Sequence, residues 1–477
     1  MIGVTFHEKI KKIQDDNIIN IFSDSKIQSL VNFIFSHSPF LSRLIIEYPE
    51  FFAKIITEGS EDCFDELLNN LRNFKTDSAN DLMRELRIAK SKSSLLIAVS
   101  DIAGIWELEK ATSAMSEFAE IAIQLTINFL LNQANKKGEI RAKDPINPEL
   151  ESGIFVLAMG KLGAFELNYS SDIDLIIFFD KEQVNYIGSS NVQHYLSKMA
   201  QEMVRILQER TQSGYVFRVD LRLRPDPAST PAAMSIVGAI TYYETVGQNW
   251  ERAAFIKARP IAGDIPCGYY FLKQIAPFIW RKNLDFAAIA DIQSIKRQMD
   301  DRGSKEINLA GQNIKTGIGG IREIEFYAQI NQLIWGGRIL ALRTPATCKT
   351  LNTLAEDEMI SKELSERLIK NYRLLRNVEH RLQMIEDQQT HTIPIDIVAL
   401  NKLSQFLEYE SLEDFENELK EVLNFVHDNF SKAFRGSYSL SSEEGKLSFT
   451  GVENNQQTLV TLQKMGYKNP ASVSEII

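Results

Sequence analysis

The sequence predicts an α+β protein that is predominantly helical, with a small mixed β-sheet between helical N-terminal and C-terminal subdomains. Apolar residues recur at helical spacing before about residue 140 and again after residue 317. Short apolar strands alternate with a helical segment between these regions, which is typical of a sheet flanked by helices. The 477 residues exceed one typical hydrophobic core, so two or three subdomains are expected.

The N-terminal subdomain is predicted over residues 1–148. Leu82, Leu86 and Ala89 fall at helical spacing on one face. A polar run over residues 132–148 separates these helices from the strands that follow and marks the first boundary.

The catalytic domain is predicted over residues 149–312, where two apolar strands flank a glycine-containing turn. The second strand opens with Asp172 and Asp174. Successive side chains of a strand point to opposite faces, so both carboxylates leave one face while the apolar residues on the other face anchor the strand. Neighbouring carboxylates repel each other unless a cation lies between them, and oxygen ligands suit Mg²⁺ or Mn²⁺. The pair therefore predicts a hard-metal site.

The turn before this strand carries Gly160, Lys161 and Gly163, directly after a strand predicted over Ile154 to Met159. Glycine lets a phosphate approach the backbone, and free N–H groups at a helix start bind phosphate oxygens. The P-loop spacing is absent, so an ordinary strand-to-helix turn remains the alternative. The residues of this region predicted to bind phosphate or nucleotide are Gly160, Lys161, Gly163 and Ser171.

A third acid lies in residues 215–225, whose alternation is nearly regular. The apolar face comprises Tyr215, Phe217, Val219, Leu221 and Leu223, and the opposite face Arg218, Asp220, Arg222 and Arg224. An acid among arginines predicts a metal ligand, Asp220, with Arg222 and Arg224 as phosphate ligands. A solvated edge strand carrying salt bridges is the alternative. A helix around Val192 to Gln208 is predicted to connect this strand to the preceding one.

The C-terminal subdomain is predicted as a helical bundle over residues 313–440. Its apolar stripe comprises Leu368, Tyr372, Leu375, Val378, Leu382 and Ile385. None of the histidines lies at metal-ligand spacing, and His380 is predicted to pair along its own helix.

Two interpretations compete for the segment GGIREIEF at residues 319–326. Arg322 and Glu325 either form an ion pair at i, i+3, or lie with the two glycines against the nucleotide or the incoming phosphate. Substrate contacts are also predicted in the extended segment ERAAFIKARP, at Glu251, Arg252, Lys257 and Arg259.

Composition describes an ordinary globular chain, with 44% hydrophobic and 24% charged residues. The net charge of −10 argues against a nucleic-acid partner, because phosphate contacts need a basic surplus. Cys63, Cys267 and Cys348 lack CxxC spacing, which favours buried thiols in a reducing cytoplasm. Neither a signal-peptide core nor a stretch of membrane-span length is evident, so a cytoplasmic protein without a membrane partner is predicted.

The motif GKLGxxELNxSSDIDL, followed about 45 residues later by VDLRLRP, resembles the nucleotidyltransferase domains of the bifunctional glutamine synthetase adenylyltransferase/adenylyl-removing enzymes. Other segments agree over nearly the whole chain. They are SPFLSRLIIEYPEFF, LRIAKSKSSLLIAVSDIAG, WERAAFIKARPIAGD, GGIREIEF and LLRNVEHRLQMIEDQQTHTIP.

The resemblance implies a polymerase-beta-like nucleotidyltransferase sheet and two homologous halves, of which the N-terminal one removes AMP and the C-terminal one attaches it. The helical start at SPFLSRL and the form SSDIDL match the N-terminal half. Residues 441–477 resemble the start of the segment between the halves, so a truncated chain or a split gene is expected.

The activity implied by the resemblance is metal-dependent phosphorolysis. Inorganic phosphate attacks the adenylylated tyrosine of glutamine synthetase, releasing ADP, with Mg²⁺ held by Asp172, Asp174 and Asp220 and the charge on phosphate offset by nearby cations. The nitrogen-signalling P-II protein is the implied regulatory partner.

Three alternatives remain at this point. The chain could adenylylate glutamine synthetase from ATP, act as a regulatory binding module for P-II protein, or modify RNA or a small molecule. The acidic charge balance disfavours the last of these.

Overall fold

A computed structural model describes residues 16–281 and 307–438 of the chain. Predictions that concern residues 1–15, 282–306 and 439–477, including the segment predicted between the two halves, lie outside the described residues.

Seven helices precede the sheet in the described chain. They are α1 (Asp16–Ser23), α2 (Ser25–His37), α3 (Pro39–Glu47), α4 (Pro49–Glu58), α5 (Ser60–Arg72), α6 (Ala79–Ile102) and α7 (Leu108–Lys136). Local chemistry fixes several starts, because the Ser38 hydroxyl accepts from the Leu41 N–H and proline occupies the first position of α3 and α4. The prediction of helices in this region is confirmed.

The middle of the chain alternates strands with helices. Its elements are β1 (Ile154–Ala158), α8 (Gly160–Gly163), β2 (Ile173–Phe179), α9 (Val192–Gln208), β3 (Val219–Asp220), β4 (Ala233–Ser235), α10 (Ile236–Thr245), α11 (Asn249–Phe255), β5 (Arg259–Gly263) and α12 (Ile265–Ile279). The helix predicted over Val192 to Gln208 is confirmed as α9.

The five strands form a mixed sheet, as predicted. The strand order is β3-β2-β1-β5, and β4 also pairs with β2. Strand β1 runs antiparallel to β2 and β5, whereas β3 and β4 run parallel to β2. The period-two pattern of β2 divides as predicted: Ile173, Leu175, Ile177 and Phe179 enter a core shared with α6, α7 and α9. Ile176 and Phe178, on the same face as Asp174, enter a second core under α10 and α12.

Two predicted extended segments are shorter in the structure. The strand predicted over residues 215–224 shrinks to Val219–Asp220. Val216 and Phe217 are both buried, and both of their N–H groups donate to the Leu207 carbonyl, so packing against α9 overrides the alternation. The ERAAFIKARP segment is likewise not extended throughout, because α11 takes its first residues and β5 begins at Arg259.

The C-terminal elements are helical. They are α13 (Ile321–Trp335), a 3₁₀ turn (Leu340–Leu342), α14 (Thr347–Glu356), α15 (Lys362–Glu386), α16 (Ile397–Phe406) and α17 (Leu412–Tyr438). Five residues of the predicted stripe on α15 lie in the bundle core, and Ile385 packs against the core of the N-terminal helices instead. His380 does not pair along its helix: its Nδ1 lies 3.2 Å from Asp101 of α6. Helix α15 therefore joins the bundle to the rest of the molecule.

Helix α7 corrects the prediction that no stretch is long enough to span a membrane. It has 29 residues, and by length and composition alone it could cross a bilayer. Inside this fold, 67% of its most apolar window is buried, so its apolar surface is used against the sheet and the neighbouring helices.

The three cysteines are free thiols, as predicted. Cys63 and Cys267 are buried and Cys348 is partly buried. Burial raises the pKa of the Cys267 thiol to about 12, with a smaller effect of Asp264. Such a thiol stays protonated and packs as a small apolar side chain.

Candidate active site

The predicted acids meet where β2 begins and β3 ends. Asp174 lies directly opposite Asp220 in the parallel pairing of β2 with β3, and Asp172 precedes Asp174 by two residues. Residues in register on neighbouring strands share one face of a sheet. Three carboxylates therefore lie on one face at one edge of the sheet.

Their proximity changes the ionisation of the central acid. Burial, together with the negative charges of Asp220 and Asp172, raises the pKa of Asp174 to about 6. The raised pKa means that the ionised form of Asp174 is unfavourable in this site. A cation bound beside it would offset that cost, because a positive charge favours the ionised carboxylate.

The two outer acids are bound to arginines. Arg218 Nε lies 2.5 Å from Asp172 Oδ1, and Arg222 Nη2 lies 2.5 Å from Asp220 Oδ2. The hydrogen bond from Arg222 lowers the pKa of Asp220. Within the described residues, no three acidic, histidine or cysteine side chains are gathered closely enough to hold an ion as they stand.

The donor set nevertheless fits Mg²⁺ or Mn²⁺. It consists of carboxylate oxygens, which hard divalent cations prefer, and the central carboxylate carries an electrostatic penalty that such an ion would offset. Asp172 and Asp220 would exchange their arginine contacts for the ion.

The glycine turn is shaped by close contacts. Gly160 has a φ of +54°, and a Cβ there would lie 2.7 Å from Asp174 Oδ2. At Gly163 a Cβ would lie 1.8 Å from the Lys257 carbonyl oxygen. Gly160 therefore makes room for the central carboxylate, and Gly163 for the backbone before β5. The single helical turn between them favours the strand-to-helix interpretation for Gly163.

We predict that Gly160→Ala weakens Mn²⁺ binding at least about fivefold without unfolding the chain. Left-handed backbone costs an L-residue about 1–2 kcal/mol, and the new methyl group displaces the Asp174 carboxylate. Isothermal titration with Mn²⁺ and a thermal melt check both parts. The matched control is Gly138→Ala, because Gly138 has a φ of +69° and nothing within 4 Å of its Cβ position. Equal Mn²⁺ affinity in both variants would contradict the role of the contact.

Lys161 does not point freely toward the carboxylates. Its Nζ lies 3.0 Å from Glu379 of α15, and both side chains are almost completely removed from solvent. Burial lowers the pKa of Lys161 to about 8, aided by the nearby Arg376 cation. In this conformation Lys161 anchors the turn to the C-terminal bundle.

Helix α15 supplies residues that the sequence analysis did not identify. Arg376 donates to the Glu166 carbonyl at 2.7 Å and to the side chain of Asn168. Gln383 Oε1 accepts from the Ser170 N–H at 3.1 Å. Arg376, Glu379 and Gln383 are all fully buried. The sequence could have indicated this, because these polar residues lie at i, i+3 and i+7 beside the apolar stripe of α15. These residues fix the segment that leads into Asp172.

A second buried cluster contradicts one of the two interpretations of GGIREIEF, the i, i+3 ion pair between Arg322 and Glu325. Glu325 lies 3.1 Å from Lys257 rather than pairing with Arg322, and Lys257 also lies 3.0 Å from Glu166. Burial alone would raise the pKa of Glu325, but Lys257 holds it well below its usual range.

The glycines of GGIREIEF serve packing. A Cβ at Gly319 would lie 1.9 Å from the Leu423 carbonyl of α17, and one at Gly320 would lie 2.6 Å from the Ile314 carbonyl. Arg322, two residues after Gly320, is exposed. Gly319 therefore lets the start of α13 approach α17, and Gly320 lets it pack against the preceding turn.

Most of the other residues predicted to contact substrate or phosphate form hydrogen bonds with neighbouring parts of the chain. Glu251 accepts from the Gln248 N–H at 2.7 Å, and buried Arg252 donates to the Ile279 carbonyl. Arg224 donates to carbonyls of the turn after β3, and Ser171 is partly exposed beside Asp172.

Arg259 lies at the start of β5, near the glycine turn. Its guanidinium lies 2.5 Å from Glu120 of α7 and stacks 3.6 Å from the centre of the Phe165 ring. This arginine therefore connects α7 to the loop after α8.

A cleft of about 550 Å³ opens between α9 and β3 beside the outer acids. Its polar lining comprises Asp172, Asp220, Arg218, Arg222, Gln201 and Gln208. The Arg222 side chain is 82% exposed, so its pair with Asp220 is solvent-screened and can open toward an incoming anion. Carboxylates and cations thus meet at an open cleft, as a site for phosphate chemistry requires.

Three carboxylates on neighbouring strands of a mixed sheet, held between helical regions, define a nucleotidyltransferase-like α+β protein. A family model described as Glutamate-ammonia ligase adenylyltransferase matches residues 27–274, and the chain belongs to this family. A second model, described as GlnD PII-uridylyltransferase, matches residues 290–434.

Curated relatives agree with this family. The chain is 41% identical over 475 residues to the bifunctional glutamine synthetase adenylyltransferase/adenylyl-removing enzyme of Bartonella quintana, covering 98% of this chain and 49% of the relative. The corresponding protein of Rhizobium meliloti is 43% identical over 465 residues, covering 96% of this chain and 47% of the relative. The chain thus spans about half the length of the relatives it matches.

Proposed function

We propose that the chain removes AMP from the adenylylated tyrosine of glutamine synthetase by phosphorolysis, as the N-terminal half of the bifunctional enzymes. The observation that carries the proposal is the register of Asp174 opposite Asp220, with Asp172 on the same face. The similarity to relatives whose name includes adenylyl removal supports it.

In the proposed reaction an oxygen of inorganic phosphate forms a bond to the α-phosphorus of the adenylyl group. The bond from this phosphorus to the tyrosyl oxygen breaks, ADP leaves, and the phenolate takes a proton from water. A phenol has a pKa of about 10, so its anion is a moderate leaving group. Phosphate is already ionised near neutral pH, so no general base is needed.

Each group of residues at the site has a separate role in the proposed reaction. Asp172, Asp174 and Asp220 would hold Mg²⁺, which supplies electrostatic stabilisation of the phosphoryl oxygens and the departing phenolate. Arg222, exposed at the cleft, attracts the anionic nucleophile. Gly160 keeps space for the central carboxylate.

We predict that Arg222→Glu raises the phosphate concentration needed for half-maximal ADP release by about tenfold. Its cation lies at the mouth of the cleft, and reversing the charge repels phosphate. The dependence of rate on phosphate concentration measures this effect. The exposed Arg338, placed outside the cleft, provides Arg338→Glu as a control. An unchanged phosphate dependence in Arg222→Glu would remove this residue from the nucleophile's path.

The decisive experiment incubates the chain with adenylylated glutamine synthetase, Mg²⁺ and phosphate. ADP release that requires both phosphate and metal is expected. Parallel incubation of unmodified glutamine synthetase with ATP tests the opposite direction, which the adenylyltransferase part of the relatives' name favours. If the second incubation attached AMP to glutamine synthetase and the first released no ADP, the proposed direction would be overturned.

A regulatory partner is proposed for the C-terminal bundle. The match of residues 290–434 to a family described by its action on PII supports an interaction with the nitrogen-signalling P-II protein. A cytoplasmic location is part of the same proposal. Binding of purified P-II protein to the chain, measured by isothermal titration, tests it, and no binding in the presence or absence of ATP would contradict it.

A further inference from the structure

Several cations of this region, including Lys161 and Arg222 that were predicted to bind phosphate, form ion pairs in the described chain. The committed pairs are Lys161 with Glu379, Lys257 with Glu166 and Glu325, Arg218 with Asp172, and Arg222 with Asp220. A phosphate needs a cation that is not already neutralised, or one that can give up its partner at low cost.

Lys315 is such a cation. Within the described residues its ammonium has neither an ion pair nor a hydrogen bond, although its side chain is partly buried. It belongs to the segment before α13, where Ile314 is fully buried and fixes the backbone on one side. On the other side, the Arg322 N–H donates to the Lys315 carbonyl at 2.9 Å.

A continuous series of contacts connects this segment to the carboxylates. The Ile314 N–H donates to the His391 carbonyl at 2.9 Å, and His391 Nδ1 lies 2.8 Å from Glu379. Glu379 contacts Lys161, and the preceding Gly160 lies so near Asp174 that a Cβ there would be 2.7 Å from Asp174 Oδ2. An antiparallel β-bridge between Asn313 and Thr392 also connects the segment before α13 to the segment that contains His391. The backbone segment that carries Lys315 is thereby linked to the glycine turn.

Electrostatics agrees with this placement. The Lys315 cation opposes the rise that burial and Asp220 cause in the pKa of Asp174. It also adds to the fall that burial and Arg376 cause in the pKa of Lys161. Its charge therefore reaches both sides of the turn.

We propose that Lys315 binds the anionic phosphoryl oxygens of the nucleotide at the Asp174 side of the site. This inference rests on the proposed function for the identity of the ligand, an adenine nucleotide. Lys315 comes from the C-terminal bundle, whereas the acids come from the sheet, so the bundle completes the site.

The test compares ADP binding, in the presence of Mg²⁺, by the whole chain and by Lys315→Gln, using isothermal titration. Loss of one charge-assisted contact is expected to weaken binding about tenfold. Lys315→Arg should bind within about threefold of the wild type, because it keeps the cation. Lys370→Gln, which neutralises an exposed lysine on α15, should bind as the wild type does.

The outcomes separate the two proposals. Equal ADP affinity in Lys315→Gln and the wild type would overturn the role of Lys315, as would a loss that Lys315→Arg fails to restore. A wild-type chain that binds ADP through Lys315 but releases none from adenylylated glutamine synthetase would support this inference and overturn the proposed function. A wild-type chain that binds no ADP would overturn both.

Discussion

Asp174→Asn is expected to reduce ADP release at least about 100-fold while leaving the chain folded. Asp174 is the central acid, opposite Asp220 and two residues after Asp172. An amide keeps the size of the side chain but removes the negative charge proposed to bind the metal. Removal of one preorganised electrostatic group from an active site costs about 100- to 1,000-fold in rate.

The measurement is the rate of ADP release at saturating phosphate and Mg²⁺, with circular dichroism to confirm the fold. Asp65→Asn is the matched control, because Asp65 is exposed on α5 and takes part in no predicted chemistry. A near-native rate in Asp174→Asn would show that the carboxylates do not hold the metal.

The same variant carries a pH-dependent stability signature in the metal-free chain. Burial and Asp220 raise the pKa of Asp174 to about 6, so ionisation destabilises the folded state. Asp174→Asn removes this penalty and should be more stable than the wild type above about pH 6. The gain should disappear as the pH falls from about 6 to about 3.9, the usual carboxyl value, because Asp174 then becomes neutral in both states. A functional carboxylate that costs stability is typical of an active site.

Glu379→Gln is expected to lower the free energy of unfolding by about 3–5 kcal/mol, the usual cost of breaking a buried ion pair. Glu379 is fully buried and lies 3.0 Å from Lys161, 3.1 Å from Arg376 and 2.8 Å from His391. The amide leaves the two cations buried without an anion.

Denaturant unfolding, followed by circular dichroism, measures the loss. The control on the same helix is Glu366→Gln, whose ion pair with Lys362 is exposed and should contribute less than about 1 kcal/mol. If both variants lost a similar free energy of unfolding, the buried ion pairs of Glu379 would not contribute more than an exposed pair.

The destabilisation by Glu379→Gln should also depend on pH. Burial alone would raise the pKa of Glu379, but Lys161, His391 and Arg376 hold it well below its usual range. The stability that Glu379 provides is therefore fully present above about pH 4.3, the usual glutamate value. It should be lost as the pH falls below that value, because the unfolded chain takes up a proton first.

Local sequence patterns predicted much of the secondary structure around the sheet. The helix over Val192–Gln208 and the apolar face of β2 follow from periodicity, since the side chains that share a face are close neighbours in sequence. The strand over residues 215–224 was wrong in length because burial of both Val216 and Phe217 depends on α9 and not on the local alternation. Periodicity is reliable only where one face meets the core.

The partners of the charged residues could not be predicted in the same way. The sequence placed Arg322 and Glu325 at ion-pair spacing, yet Glu325 pairs with Lys257, and Lys161 pairs with Glu379, 218 residues further along the chain. Such pairs form where two elements pack together, and the charge pattern along one element does not encode them.

The sequence by itself determined that Asp172 and Asp174 leave one face of an apolar strand after a glycine turn, because a strand's side chains alternate regardless of what surrounds it. Tertiary structure alone decided that Asp220 lies opposite Asp174, that Glu379 neutralises Lys161, and that the Lys315 ammonium has no ion pair within the described residues. Register and ion pairing depend on distances between elements far apart in sequence, and only packing sets those distances.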